Sequence, residues 1–190
     1  MPQYRRIEAH GATIFFTLVT LDRRPILTSQ PALDLLRAAF REERRRSAFW
    51  LDAIVVLPDH LHCIWTLPRG DSNFSIRWSR IKTHFTTRYL RSGGDEARRS
   101  ASRQTRGERG VWQRRFWDHV IRDDDDFGHH LDYVHFNPVK RGYANCPHAW
   151  APSSFRTWVR KSVYPVDWLC ACRRTRIAPD FSAIEKRVGE

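Results

Sequence analysis

Long apolar runs are missing from this chain. No stretch reaches the roughly 18 consecutive apolar residues that a bilayer-spanning helix requires, so no membrane contact of that kind is expected. Cysteine is scarce: Cys63, Cys146, Cys170 and Cys172 show neither CxxC spacing nor the density of a disulfide scaffold. The Cys170-Ala171-Cys172 pair has no second cysteine pair to match it, which argues against a cysteine-built zinc site and for free thiols. The opening "MPQYRRIEAHGATIFF" lacks the layout of a secretory leader, so a cytoplasmic protein is expected. Acidic residues are outnumbered: 21 Asp plus Glu face 33 Lys plus Arg, a formal net charge of +12, and the natural partner of such a chain is a polyanion.

What is present fits that partner. Arginine forks match phosphate oxygens, and eight tryptophans with eleven phenylalanines offer faces on which unpaired bases could stack. With 41% apolar residues among 190, the chain can bury one ordinary core, and one globular unit is expected.

Along the chain, "ATIFFTLVTL" (12–21) is β-branched and aromatic with hardly a polar break, as in a central strand. "PALDLLRAAFREERRR" from Pro31 carries Leu33, Leu36 and Phe40 on one helical stripe. "FWLDAIVVLPDHLHCIWTLP" reads as two strands joined at Leu57-Pro58-Asp59, the second running from about His60 to Leu67. Phe74, Trp78, Ile81, Phe85 and Tyr89 recur at helical period, with Arg77, Arg80, Lys82, Arg88 and Arg91 as a basic outer face. Residues 92–110 hold almost no apolar side chain and predict a mobile basic loop. "VWQRRFWDHVIR" predicts a fourth strand, and "DDDDFGHHLDYVHF" a helix with acids in its first turn, ended at Asn137-Pro138. The order contains a split βαβ pattern, so the predicted fold is α+β: a ferredoxin-like, RRM-like antiparallel sheet with helices on one face, plus a C-terminal tail. A domain over 1–145 and an extension over 146–190 follow.

Two patterns carry chemistry. Alternation places His60 and His62 on one strand face, about 7 Å apart at Cα, where two imidazoles can close on one metal ion. His129, Tyr133 and Asn137 are spaced at four and four, on one helix face. A phosphodiester-cutting enzyme needs a nucleophile and a cation on the phosphate oxygens; a tyrosine, with its pKa near 10, serves once a base or a cation's field favours the phenolate. Each pattern alone is more often structural than catalytic.

Together they resemble a known family. "LPDHLHCIWTLP", "GVWQRRFWDHVIRD" and "HLDYVHFNPVKRGY", in that order, with "WAPSSF" (150–155) and "YPVDW" (164–168), resemble the REP-associated tyrosine transposases, which are single-tyrosine HUH nucleases. The resemblance implies an RRM-like fold, His60 and His62 as metal ligands, Tyr133 as nucleophile and Asn137 as third ligand. It also implies Mg²⁺ or Mn²⁺ as cofactor, and as substrate single-stranded DNA carrying hairpins of repetitive extragenic palindromes, nicked and rejoined through a 5'-phosphotyrosine. His135 and Phe136 stand where a two-tyrosine relative would carry a second hydroxyl. His129 is a candidate proton acceptor or phosphate contact.

For DNA binding, "WQRRFW" (112–117) sets Arg114 and Arg115 among aromatics including Trp112; Lys140 follows the tyrosine helix, and Arg5 and Arg6 are candidates for base contact. A monomer is expected, with a dimer as the alternative, working on nucleoid DNA. The competing function is a non-catalytic protein that holds hairpin DNA or RNA on the same fold.

Overall fold

The computed structural model describes residues 11–171 and 178–188. Arg5, Arg6 and Cys172, singled out above, lie outside those residues. Four strands, β1 (Thr13–Val19), β2 (Trp50–Val56), β3 (His60–Thr66) and β4 (Trp117–Val120), form one sheet in the order β2-β3-β1-β4. All its pairings are antiparallel, as expected. The helices are α1 (Gln30–Arg46), α2 (Phe74–Arg91), the short α3 (Ala101–Thr105), α4 (Asp124–Lys140), α5 (Phe155–Arg160) and α6 (Ser182–Val188).

Local chemistry sets these elements. Ser29 caps α1 by accepting from the Ala32 amide, Pro31 sits in its first turn, and Arg44, Arg45 and Arg46 fill its last turn, where positive charge suits the dipole. At α4, Asp123 accepts from the Asp126 amide, and Asp124, Asp125 and Asp126 occupy the first turn. The β2–β3 turn closes with the Leu57 amide on the His60 carbonyl at 2.8 Å.

The α+β class and the antiparallel sheet are as expected, but the helices are not confined to one face. Ile14, Phe16, Leu18, Leu61, Cys63 and Trp65 pack under α1 and α2. Phe15, Ala53, Val55 and Ile64 point the other way and are covered by α4. Alternation in β1 and β3 thus feeds two cores, which is why β1 is apolar on both faces. Segment 146–171 belongs to the second core: the Val56 amide donates to Pro152, the Ser154 amide to Ile54, and Phe155 is fully buried.

Three other expectations need correction, and residues 92–110 carry contacts that their composition does not suggest. Residues 92–110 are folded back on themselves: Glu96 takes the Arg109 guanidinium through both oxygens and the Gly110 amide, so charge pairing does what apolar burial does not. Arg77, Arg80 and Lys82 are not an outer basic face; Arg77 is 3% exposed, paired with Asp71 and donating to the Ala48 carbonyl, and Arg80 pairs with Glu43. Helix α4 runs through Pro138 to Lys140, with the Arg141 amide on the Asn137 carbonyl, although the proline has no N–H to offer the carbonyl four residues back. The thiols are not all free: Cys146 and Cys170 form a disulfide, and Cys63 is a buried free cysteine.

Candidate functional site

Where β3 begins, His60 and His62 are wholly buried on the sheet face beneath α4, their ring centroids 5.0 Å apart. The register pairs Thr17 of β1 with His62, and Thr17 Oγ1 is hydrogen-bonded to His62 Nδ1 at 2.8 Å. His60 Nδ1 donates to the Asp59 carboxylate at 2.6 Å. Burial would raise the Asp59 carboxyl, but the hydrogen bond and charge of His60 and the Arg23 guanidinium bring it down to about 2. Asp59 is therefore a full carboxylate across the working range. With both Nδ1 atoms held, Nε2 is the nitrogen each ring would present to a cation, and fixing the second nitrogen is how proteins orient metal-binding imidazoles.

Helix α4 lays Tyr133 over this pair. Its ring lies 5.1 Å from that of His62 and 6.0 Å from Phe15, and Phe15 stacks on His62 at 5.6 Å. Lys140 places its ammonium 5.1 Å from the Tyr133 ring centroid and pairs with Glu185 at 2.6 Å. One turn after Tyr133, Asn137 is fully buried, and neither its amide oxygen nor its amide nitrogen has a hydrogen-bond partner among the described residues. A buried unpaired amide costs about 1–3 kcal/mol, so a group beyond the described residues, such as a bound cation, would satisfy it. Two Nδ1-held imidazoles and an amide oxygen are a donor set that Mg²⁺ or Mn²⁺ accepts.

The site is roofed by the C-terminal segment. Phe181 sets its ring 5.4 Å from Tyr133 and 5.4 Å from His129, and Ile184 is buried beside it. Tyr133 is 0% exposed as a result.

A further ligand group lies between β4 and the same helix. Atoms of His119, Asp126 and His130 all fall within 4.8 Å of one another and could hold a metal ion. Asp126 already accepts from His119 Nε2 at 2.9 Å, from the Arg122 amide and from its guanidinium. His130, largely desolvated, has its pKa lowered to about 4 and stays a neutral imidazole.

The expected DNA contacts divide. Lys140 and His129 join the tyrosine site. Trp112 does not offer a base-stacking face: it is 4% exposed, with its ring 5.3 Å from Phe85 in the core under α2, and that reading is withdrawn. Arg114 is half-exposed and paired with Glu108; Arg115 is exposed. Arg114 lines a cleft of about 450 Å³ with Lys82, Arg103 and Arg109, on the α2 side of the sheet and away from Tyr133.

Lys82 donates to the Gln113 carbonyl at 2.6 Å, and burial, helped by the Arg103 charge, lowers its pKa to about 8. Its folded pKa thus lies below the ordinary 10.5, so stability from the neutral amine is present above 10.5 and is lost as pH falls through about 8. Relative to Lys82→Met, the wild type should gain stability between those two pH values, read as the difference in denaturation midpoints. A flat difference would sink that assignment.

Thr17, Asp59 and Phe181 are functional neighbours that reading the sequence passed over. Thr17 needed only the β1–β3 register, and Asp59 is adjacent to His60; nothing local ties Phe181 to Tyr133.

No protein-family model matches the chain. It is 41% identical over 190 residues, the whole of both chains, to the REP-associated tyrosine transposase of Escherichia coli K12. A relative from Haemophilus influenzae is 41% identical over 170 residues, covering 88% of this chain and 93% of its own. A solved structure of a REP-associated tyrosine transposase bound to a REP hairpin aligns with TM-score 0.74 and 38% identity, covering 96% of each chain.

Proposed function

The chain belongs to the REP-associated tyrosine transposases, and from that premise we propose that it nicks and rejoins single-stranded DNA at hairpins of repetitive extragenic palindromes. The observation that carries this reading is the edge-on contact of Tyr133 with His62, together with the unsatisfied Asn137 amide one turn along the same helix. Tyr133 Oη attacks the scissile phosphorus in line; the O–P bond to tyrosine forms, the P–O3' bond breaks, and the phenolic proton leaves as the 3'-hydroxyl is protonated. The phosphotyrosine keeps the bond energy, so the reverse attack by a 3'-hydroxyl rejoins the strand without ATP.

His60, His62 and Asn137 would hold the Mg²⁺ or Mn²⁺. When bound, the cation supplies positive charge beside the nonbridging phosphate oxygens. Lys140 adds a second charge next to the Tyr133 ring once it exchanges Glu185 for phosphate. His129, now against Phe181, reaches phosphate or proton only after that ring moves. Arg114 and Arg115 bind backbone phosphates with little sequence readout. The protein acts as a monomer in the cytoplasm, on nucleoid DNA; among the described residues no helix is long and apolar enough to cross a membrane.

The test is incubation with end-labelled hairpin DNA and Mn²⁺, run on a denaturing gel. A covalent adduct that a chelator prevents is the expected result. Tight hairpin binding with no adduct under any metal would reduce the protein to a hairpin-binding module.

The Thr17 contact gives a finer expectation. Thr17→Val keeps the strand but removes the partner of His62 Nδ1, and should weaken the metal dependence of nicking by about 10- to 100-fold. The half-saturating Mn²⁺ concentration reports it; an unchanged value would mean that the hydroxyl does not orient the ring.

A further inference from the structure

Two short segments bearing soft ligands meet beyond the end of α4. The first is Cys146-Pro147-His148, in which Pro147 opens a 3-10 turn that Cys146 caps. The second is Cys170-Ala171, 24 residues after Cys146. Backbone bonds fix both: the Ala171 amide donates to the Asn145 carbonyl at 2.7 Å, the Ala149 amide to Cys146 at 3.1 Å, and the Cys170 amide to Asp167 at 3.1 Å. The Arg156 guanidinium also donates to the His148 carbonyl. Cys170 is 1% exposed, while Cys146 and His148 are half-buried and reachable from solvent.

The two sulfurs and a His148 ring nitrogen all lie within 4.8 Å of one another, with His148 Nδ1 3.7 Å from Cys170 Sγ. A tetrahedral zinc ion with ordinary bond lengths separates a thiolate sulfur from an imidazole nitrogen by about 3.6 Å. We propose that Cys146, His148 and Cys170, with both sulfurs reduced, form a binding site for a soft divalent cation of the zinc class. Counting cysteine pairs alone hides this site, because the partner of the Cys170 segment is a Cys-x-His. Cys172 lies outside the described residues.

Disulfide and metal exclude one another. A small thiol reductant supplies the two electrons and two protons that turn the disulfide into two thiols, leaving as its own disulfide; the cation then displaces both thiol protons to solvent. Two sulfurs and one imidazole supply three of the four positions that zinc ordinarily takes. Thiolates favour zinc over Mg²⁺ and Mn²⁺, so this site differs in ligand class from the imidazole and amide set around Tyr133. The loaded site would brace the loop after α4 against the segment that leads to Phe181.

The test uses the full chain, reduced, freed of reductant under anaerobic conditions and titrated with Co²⁺ as a spectroscopic probe, then with Zn²⁺. One equivalent of cobalt should give sulfur-to-metal charge transfer and tetrahedral ligand-field bands that Zn²⁺ abolishes. The signal should persist in a His60→Ala, His62→Ala double variant and be lost in Cys170→Ser. Wild-type protein gives a check free of folding defects: Zn²⁺ should shield Cys146 and Cys170 from alkylation, scored peptide by peptide. Charge transfer that survives in Cys170→Ser, or equal alkylation with and without Zn²⁺, overturns the proposal.

Discussion

Tyr133→Phe should abolish the covalent protein–DNA adduct while leaving hairpin affinity within about twofold of wild type. The substitution removes one oxygen from a fully buried ring and keeps its contacts with His62, Phe15 and Phe181, so the fold has little reason to change. Loss of a sole nucleophile typically costs more than about 10³-fold in rate. The size of the effect depends on there being no substitute tyrosine hydroxyl at the site among the described residues. Tyr164, also in the second core, donates its hydroxyl to Asp132 at 2.6 Å; burial and that carboxylate push its phenol far above the ordinary range, so it stays protonated and occupied. Tyr89 stacks on Phe85 one turn away on α2, and Tyr143 lies against Trp150, each in other company. The measurement is adduct yield per hour against hairpin Kd on the same preparation. Residual adduct above a few per cent of wild type would mean that another residue attacks, and loss of binding along with cleavage would mean that the ring itself holds DNA.

The parts of this site that were legible in the sequence are those that one element decides alone. Strand alternation is enough to set His60 and His62 on one face, and a four-residue spacing is enough to align His129, Tyr133 and Asn137. Whether the two faces look at each other depends on which side of the sheet α4 covers, and there the one-face expectation failed. The signal was present in "TIFFTLV": a strand apolar at both odd and even positions has both faces covered, so a second helical layer was required. The contacts within residues 92–110 were illegible for a different reason. Apolar content predicts order only when burial supplies it, and here Glu96 and Arg109, thirteen residues apart, tie the loop by charge. Trp112 shows the converse, since a composition suited to stacking bases suits a protein core equally well. The predicted helix ended at Asn137-Pro138 because proline lacks the N–H and crowds the carbonyl four residues back, yet the chain keeps helical geometry for two residues beyond it.

Phe181→Ala should raise the rate of adduct formation by up to about 30-fold. A phosphodiester cannot reach a hydroxyl whose residue is 0% exposed, so the segment over Tyr133 must move before chemistry. Phe181 contributes three ring contacts to the closed form, with His129, Tyr133 and Phe136. Truncating it removes about 2 kcal/mol of apolar burial that is present only when the segment is down. Where the closed form dominates, that energy moves the open fraction by about 30-fold, and a rate proportional to the open fraction follows it until the segment is mostly open. Lys140→Ala would not serve as a control, because it loses both its hold on Glu185 and a charge beside the phosphate. Glu185→Gln does serve: it weakens the 2.6 Å pair, frees Lys140 for DNA, and should act in the same direction with a smaller effect. Both variants should leave the half-saturating Mn²⁺ concentration unchanged, since neither touches His60, His62 or Asn137. A Phe181→Ala protein no faster than wild type, at saturating hairpin and metal, would show that the segment opens freely and that a later step sets the rate.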